Sequence, residues 1–173
     1  SPGDFVQVNT GLNREMVGLA IDLLDCAPDD RVADLFCGIG NFGLAAATVV
    51  QRVAGFDSTA SAIGRANDNA QMNGIGNARF EVRDLMAEDL STTLVLDANK
   101  VILDPPRSGA LAVSKLLVSS NVERVVYVSC NPVTLARDVN TLIAGGFELV
   151  KAGIMDMFPH TTHVESIALL TRR

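Results

Sequence analysis

A glycine-rich turn separates an apolar segment at 31–36 from an alanine-rich segment at 41–50. Gly38, Gly40 and Gly43 give this turn the spacing G-x-G-x-x-G. In parallel sheets this pattern joins a strand to a helix and lets the backbone approach a bound nucleotide. Strand-like and helical segments then alternate along the chain, which predicts an α/β fold with a doubly wound sheet.

The alternation defines the expected elements. We predict helices over 11–25, 41–50, 58–72 and 131–143, and strands over 31–36, 52–56, 79–82, 100–103, 124–128, 147–154 and 166–171. Ser58 is expected to cap its helix, and the last two strands are expected to pair antiparallel. The polar segment 156–165 between them is predicted to form a loop at the site. The apolar side of the first helix is predicted to carry Leu12, Met16, Leu19, Leu23 and Leu24.

Composition and charge limit the class of protein. The 173 residues are 48% hydrophobic and 20% charged, as expected of one globular domain. We find no apolar run near the ~20 residues that a membrane span needs, and we expect no membrane partner. Three cysteines without a C-x-x-C pair argue against a disulfide framework or zinc site and favour a reducing cytoplasm. A net charge of −6 is the wrong sign for a protein that binds nucleic acid unaided.

The glycine turn alone does not identify the nucleotide. Asp57 follows Gly38 by 19 residues and ends the next predicted strand, which is the spacing of a ribose-binding acid in nicotinamide enzymes. S-adenosylmethionine is favoured by Asp34 in the strand before the turn and by Asp84 at the end of the third strand. An acidic pocket suits a cationic sulfonium better than a pyrophosphate. The alternative is that the glycines serve only a tight turn.

A D-P-P-R turn follows the predicted strand at 100–103. Two prolines make the backbone after Asp104 extended and rigid, so the turn can hold a carboxylate against a planar base. Amino-group methyltransferases carry an aromatic residue after a similar turn. Arg107 stands there instead, which argues against nitrogen methylation and favours a contact to phosphate or carboxylate. The alternative is a stiff surface turn in which Asp104 only caps local backbone.

Cys130 is the candidate nucleophile of the chain. It follows the strand at 124–128 and precedes a helix opened by Pro132, whose dipole is expected to favour the thiolate. Cys26 and Cys37 are interpreted as packing residues. The alternative for Cys130 is an inert buried thiol.

A second group must accompany such a nucleophile. A thiolate that adds to carbon 6 of a pyrimidine activates carbon 5 toward a sulfonium methyl, and a base must then remove the carbon 5 proton. Glu165, beside the last predicted strand, is the best candidate for that base. His160 and His163, the two histidines of the chain, are its rivals.

Five segments match one family over nearly the whole chain. They are F-V-Q-V-N at 5–9, D-L-F-C-G-I-G-N-F at 34–42, D-P-P-R at 104–107, V-S-C-N-P with T-L-A-R-D at 128–138, and D-M-F-P-H-T-x-H-x-E-S at 156–166. Through them the chain resembles the RNA 5-methyluridine methyltransferases. Within that family it is more similar to the branch that acts on 23S ribosomal RNA than to the branch that acts on tRNA.

The resemblance implies roles for individual residues. It implies that Cys130 is the nucleophile and that Glu165 accepts the carbon 5 proton. Asp57 stands where relatives often carry Glu, and Thr162 stands where Gly is common, and neither change removes a reacting group. The resemblance also implies S-adenosylmethionine contacts from Gln7, Phe36, Gly38, Asn41, Asp57, Asp84 and Asp104.

The resemblance further implies a Rossmann-like class I S-adenosylmethionine-dependent methyltransferase fold, with helices on both faces of a mostly parallel seven-stranded sheet. Residues 1–173 would be the catalytic domain, without the RNA-binding β-barrel domain and the iron–sulfur domain that relatives carry before it. We therefore expect a cytoplasmic monomer with weak affinity for its ribosomal RNA substrate, and an iron–sulfur cluster only in the absent part. A nicotinamide-dependent oxidoreductase and a cofactor-binding module without catalysis are the rival interpretations.

Overall fold

The computed structural model describes residues 10–155 and 165–173. Its helices are α1 Thr10–Leu24, α2 Asn41–Ala47, α3 Ala60–Met72, α4 Leu90–Thr93, α5 Leu111–Val118 and α6 Pro132–Ala144. Its strands are β1 Arg31–Leu35, β2 Arg52–Asp57, β3 Ala78–Val82, β4 Lys100–Leu103, β5 Arg124–Ser129, β6 Phe147–Met155 and β7 Glu165–Arg172. No helix in this part of the chain is long and apolar enough to cross a membrane.

The seven strands of the described residues form one sheet in the order β3-β2-β1-β4-β5-β7-β6. Strands β1 to β5 run parallel, and β7 lies antiparallel to both β5 and β6. The strand order reverses between β1 and β4, and doubly wound sheets bind ligands at the carboxyl ends of the strands beside that point. The predicted mostly parallel α/β sheet and its antiparallel final pair are confirmed.

The sheet is buried on both faces, as a parallel sheet requires. Side chains that alternate along one strand separate into two clusters: Leu35 belongs to one and Val32 to the other. The first cluster is completed from α4, α5 and α6, including Leu90, Val113 and Leu142. The second is completed from α1, α2 and α3, including Met16, Phe42 and Ile63. Helices therefore cover both faces, as predicted.

Several details of the predicted elements were wrong. Leu19 is 37% exposed, and Ala20, fully buried, occupies the core side of α1 instead. Ser58 does not cap α3, because Thr59 is the residue before the helix and the Asp57 carboxylate accepts the Thr59 backbone N–H. Helix α2 ends at Ala47, three residues before the predicted end. Helices α4 and α5 were not predicted.

Charge is distributed unequally between the two ends of the parallel strands. The first or second residue of each parallel strand is basic: Arg31, Arg52, Arg79, Lys100 and Arg124. Three acids neutralise most of this edge, since Asp97 pairs with two arginines, Asp30 with Lys100 and Asp25 with Arg124. The carboxyl ends of the strands instead bear acids: Asp34, Asp57, Asp84 and Asp104. The sheet is thus basic where its strands begin and acidic where the candidate site lies.

Candidate active site

A cavity of about 300 Å³ lies at the carboxyl edge of the sheet. Four of the predicted cofactor residues line it together: Phe36, Asp57, Asp84 and Asp104. The remaining walls are Ser58, Thr59, Leu85, Met86 and Pro106. None of these lining residues is Lys or Arg, so the described part of the cavity is apolar with carboxylates and favours a cationic ligand.

The glycine turn follows Phe36, which lines the cavity, and its backbone takes conformations that residues other than glycine rarely adopt. Gly38 and Gly40 have positive φ values of 53° and 87°, and Gly40 is the residue that precedes α2. Phe36 also has a positive φ, 65°, a rare conformation for a large side chain that often marks a functional site. The Phe36 and Cys37 N–H groups donate to the Phe56 carbonyl, which holds the start of the turn against β2.

Asp57 connects the glycine turn to the next helix. One carboxylate oxygen accepts from the Gly38 N–H at 3.1 Å, and the other accepts from the Thr59 N–H at 2.8 Å. The Asp57 carboxylate therefore joins the glycine turn to the start of α3, and Asp57 and Thr59 both line the cavity. Asn41 is the first residue of α2 and is exposed, and it does not line the cavity.

Asp34 lies directly behind the turn with no exposed surface. One of its oxygens accepts from the Gly43 N–H at 2.7 Å, and the other has no hydrogen-bond partner in the described part of the chain. Burial, together with the negative charge of Asp57, raises the pKa of Asp34 to about 7. Asp34 was predicted to favour S-adenosylmethionine but was not predicted to be a site residue.

Asp104 begins the D-P-P-R turn and is half-buried. Burial raises its pKa to about 7, and the negative charges of Glu165 and Asp34 act in the same direction. The Asp104 carboxylate is therefore close enough to Asp34 of β1 and to Glu165 of β7 to be repelled by both. The Arg107 side chain is exposed and makes no ion pair with any residue in the described ranges. Its predicted contact to phosphate or carboxylate stays a prediction.

Cys130 is half-buried between the end of β5 and the start of α6. The Asn131 side chain caps that helix by accepting from the Val133 N–H at 3.1 Å. Burial and the Glu165 charge raise the pKa of the Cys130 thiol, and Arg107 opposes them. The predicted effect of the helix end on the thiolate stays a prediction, since burial and the Glu165 charge are the largest influences on this pKa and both raise it.

Glu165 is the first residue of β7, not a loop residue as predicted. Ser129 pairs with Ser166 in the antiparallel β5–β7 ladder, so continuing that register places Cys130 opposite Glu165. Directly opposed residues of an antiparallel pair have their Cβ atoms within about 5.5 Å of each other. The proposed nucleophile, one residue beyond the end of β5, thus lies opposite the proposed base at the start of β7.

Other predicted residues lie outside the described ranges. These are Gln7, His160 and His163. The segment 156–164, predicted as a loop at the site, is also outside them. The residues on either side of this segment, Met155 and Glu165, pair with each other at the carboxyl edge of the sheet.

Comparison with known proteins places this geometry in a family. The family model for tRNA (uracil-5-)-methyltransferase matches residues 2–173. The chain is 53% identical over 174 aligned residues to the 23S rRNA (uracil(1939)-C(5))-methyltransferase RlmD of Xanthomonas oryzae, covering 99% of the chain and 39% of the relative. It is 48% identical to the protein of that name from Aeromonas hydrophila, covering all of the chain and 40% of the relative. The chain thus spans about two fifths of the length of these curated relatives.

Solved structures share the fold. Pyrococcus abyssi tRNA (uracil-54, C5)-methyltransferase, crystallised with S-adenosyl-L-homocysteine, superposes with a TM-score of 0.83 and 34% identity over 98% of this chain and 41% of that one. Magnesium protoporphyrin IX methyltransferase from Synechocystis, with a TM-score of 0.75 and 20% identity over 98% of this chain and 85% of that one, shares the fold alone. The sheet is thus the Rossmann-like fold of class I methyltransferases, and the chain, with Cys130 one residue beyond β5 and Glu165 at the start of the neighbouring strand β7, belongs to the tRNA (uracil-5-)-methyltransferase family.

Proposed function

We propose that residues 1–173 are the catalytic domain of an enzyme that methylates carbon 5 of a uridine in 23S ribosomal RNA. S-adenosylmethionine would be the methyl donor, and Cys130 would bind the uracil covalently during the reaction. The observation that carries this proposal is the β5–β7 register, which pairs Ser129 with Ser166 and, continued by one residue, sets Cys130 opposite Glu165. The Glu165 charge acts on Cys130 and also on Asp104, which lines the acidic cavity. The relatives named for uracil(1939) of 23S rRNA support the choice of substrate.

The cavity fits S-adenosylmethionine in charge and in its free polar groups. When bound, this cofactor supplies a methyl group on a positively charged sulfur. Asp57 and Asp84 present carboxylates at the cavity wall, and behind the glycine turn Asp34 has a buried oxygen without a partner in the described residues. A nicotinamide dinucleotide would bring two pyrophosphate charges to a described wall that holds no cation, which argues against the oxidoreductase interpretation.

Cys130 and Glu165 would divide the chemistry between them. The Cys130 sulfur, as thiolate, forms a bond to carbon 6 of the uracil, and the carbon 5–carbon 6 double bond supplies electrons to an enolate. Carbon 5 would then bond to the methyl group of the donor while the bond from that methyl group to sulfur breaks, and the electron pair would remain on sulfur as a neutral thioether. Glu165 accepts the carbon 5 proton, the double bond re-forms, and the bond from carbon 6 to sulfur breaks to return the thiolate.

Burial and the Glu165 charge raise the pKa of Cys130, so its thiol is harder to ionise in the cofactor-free protein than an ordinary cysteine. Glu165 raises this pKa, and Arg107 is the cation that lowers it. A cationic cofactor in the adjacent cavity would add a second positive charge near the thiol. Loading of the acidic site would therefore favour the reactive thiolate.

The remaining three fifths of the relatives' length bears on how RNA is held. The net charge of −6 gives this chain little electrostatic attraction for phosphate. We propose that the parts beyond these residues supply most of the RNA affinity, that the iron–sulfur cluster belongs there, and that the protein is a cytoplasmic monomer. A cofactor-binding module without catalysis is the rival interpretation, and it leaves the Cys130–Glu165 pair unexplained.

The proposal is tested with 23S ribosomal RNA fragments that carry 5-fluorouridine at the position named for the relatives. Fluorine cannot leave carbon 5 as a proton does, so the methylated adduct stays bonded to Cys130. We expect a protein–RNA complex that survives denaturing electrophoresis and needs S-adenosylmethionine. Cys130→Ala should abolish it, and Cys26→Ala, on the other cysteine that is half-buried, should not.

Two further results would separate the steps. Glu165→Gln should accumulate the covalent complex on ordinary uridine, because the carbon 5 proton has no acceptor. Normal turnover of Glu165→Gln would reassign the base to His160 or His163. Binding of S-adenosylmethionine in calorimetry with no RNA adduct would show a cofactor module, and binding of NAD alone would support an oxidoreductase.

A further inference from the structure

Side chains on one face of helix α6 and at its cap donate hydrogen bonds to the backbone of the D-P-P-R turn and of the residue after it. Asn131 Nδ2 donates to the Arg107 carbonyl at 2.9 Å, and Thr134 Oγ1 donates to the same carbonyl at 3.2 Å. One residue further along the turn, Arg137 donates to the Ser108 carbonyl at 3.0 Å. The segment that carries Asp104 is therefore tied to the helix that begins beside Cys130.

Asp138 is the buried centre of this arrangement. Its side chain has no exposed surface. One oxygen accepts from the Tyr127 hydroxyl at 2.7 Å and from the Ala110 N–H at 2.6 Å. The other accepts from Arg137 Nε at 2.8 Å, and the Arg137 guanidinium forms the ion pair that a buried carboxylate needs. One carboxylate thus joins β5, the D-P-P-R turn and α6.

Two neighbours have the properties that this centre requires. Burial and the Asp138 carboxylate raise the pKa of Tyr127, so its hydroxyl remains a donor. Gly109 has a positive φ of 78°, and a Cβ there would lie 2.6 Å from Asp138 Oδ2 and 2.7 Å from Arg137 Nη2. Only glycine lets the turn approach the carboxylate this closely.

We propose that Asp138 is a positioning residue for the transfer reaction, holding the segment of Asp104 and Arg107 against the segment of Cys130. The inference rests on the proposed function, since it gives Asp138 a part in that same reaction. Asp138 touches no reacting atom and acts through the two segments that it joins. Asp104, by contrast, lines the cofactor cavity itself.

The arrangement has a chemical consequence at Cys130. Arg107 lowers the pKa of the Cys130 thiol and does so more strongly than Asp104 raises it. The Arg107 cation is near the thiol because its segment is fixed to α6. Loosening that segment should remove the favourable cation and leave Glu165 and burial to oppose ionisation.

The test follows Cys130 without RNA or cofactor. The chain is alkylated with iodoacetamide across neutral and alkaline pH, and the modified Cys130 peptide is quantified by mass spectrometry. For Asp138→Asn we expect alkylation at neutral pH to slow by about threefold to tenfold, with a pH profile displaced upward. Tyr127→Phe, which removes one donor and keeps the charge, should change the profile in the same direction by less.

The matched control is Asn77→Ala. Asn77 donates to the Ala47 and Val50 carbonyls, each at 2.9 Å, at the far end of the sheet. Its loss should lower the thermal midpoint without moving the Cys130 profile. The inference is overturned if Tyr127→Phe and Asp138→Asn leave the profile unchanged, or if Asn77→Ala displaces it equally.

Two provisions keep the outcome decisive. If Asp138→Asn does not fold, Tyr127→Phe alone decides, because it retains the Asp138–Arg137 pair. Alkylation needs no methyl transfer, so a displaced profile with an inactive parent protein would overturn the proposed function and leave the positioning role intact.

Discussion

Gly43 donates its backbone N–H to Asp34 at 2.7 Å, and a Cβ at position 43 would lie 2.8 Å from the same carboxylate oxygen. Glycine is therefore required at position 43 because the backbone lies so close to the Asp34 carboxylate, and not because the residue has a positive φ. It brings the first turn of α2 onto a charge buried inside β1.

Gly43→Ala should destabilise the protein by about 1–3 kcal/mol, because the new methyl group also meets Phe80 and Val53 at 3.2 Å. Gly64→Ala is the matched control, since Gly64 lies inside α3 and a Cβ there meets nothing within 4 Å. That change should stabilise by about 0.5–1 kcal/mol. Urea unfolding measures both, and equal effects would contradict the close-approach argument.

Stability of the cofactor-free protein should fall as pH rises from about 4 to about 7. The pKa of Asp34 and that of Asp104 are both raised to about 7 in the folded state, so the folded protein holds protons that the unfolded chain has released. The free energy of unfolding is highest below the pKa that the carboxyl has in the unfolded chain, and it falls as pH rises through the pKa of the folded state. The loss reaches about 4 kcal/mol for a buried carboxyl with such a shift.

Asp34→Asn is the variant that checks this pH dependence. It removes a titrating group and keeps an oxygen for the Gly43 N–H. We expect a flatter curve of unfolding free energy against pH, with the largest gain in stability above neutral pH. A wild-type curve that rises over the same interval would show that Asp34 and Asp104 remain ionised.

Asp57→Asn should weaken S-adenosylmethionine binding by about tenfold, a difference typical of a lost charged hydrogen bond. The amide keeps one oxygen for either Gly38 or Thr59 but not for both, so the glycine turn also loses a bond. Asp68→Asn on exposed α3 is the control of equal charge. Isothermal titration with both variants gives the comparison, and equal affinities would remove Asp57 from the site.

The three cysteines should differ in their reaction with iodoacetamide. Burial raises the pKa of Cys37, which is 6% exposed, and the negative charges of Asp34 and Asp57 raise it further. Cys130 is half-buried and has Arg107 nearby, so it should react sooner than Cys37 as pH rises. Peptide mapping at partial modification measures the order in which the cysteines react. Labelling of Cys37 before Cys130 would contradict the burial of Cys37 in the glycine turn.

Sequence patterns predicted the sheet because four of the five parallel strands are short, largely apolar runs and the fifth, β3, alternates apolar and charged residues. The same patterns placed Asp57, Asp84 and Asp104 at one edge, and the cavity lined by all three confirms it. The position of Glu165 in the β5–β7 ladder could not be predicted, because the predicted strand begins at Ser166 and β7 begins one residue earlier.

Other features could not be predicted for physical reasons. Helix α4 has four residues, too few to show a helical period, and α5 is apolar on most sides. The role of Asp138 was missed because its partners come from distant segments. One signal was present, since Asn131, Thr134 and Asp138 are spaced i, i+3 and i+7 and so share a helix face.

The opposite charges at the two ends of the parallel strands have a consequence for turnover. With the methyl donor that we propose, the positive charge on sulfur disappears once the methyl group has left, and the spent thioether is neutral. The acidic edge, with Asp34, Asp57, Asp84 and Asp104, therefore attracts the positively charged fresh donor. It does not attract the spent donor in this way, because the sulfur of the spent donor is neutral. Exchange of spent for fresh donor is favoured by the electrostatics of the sheet itself, without any moving part.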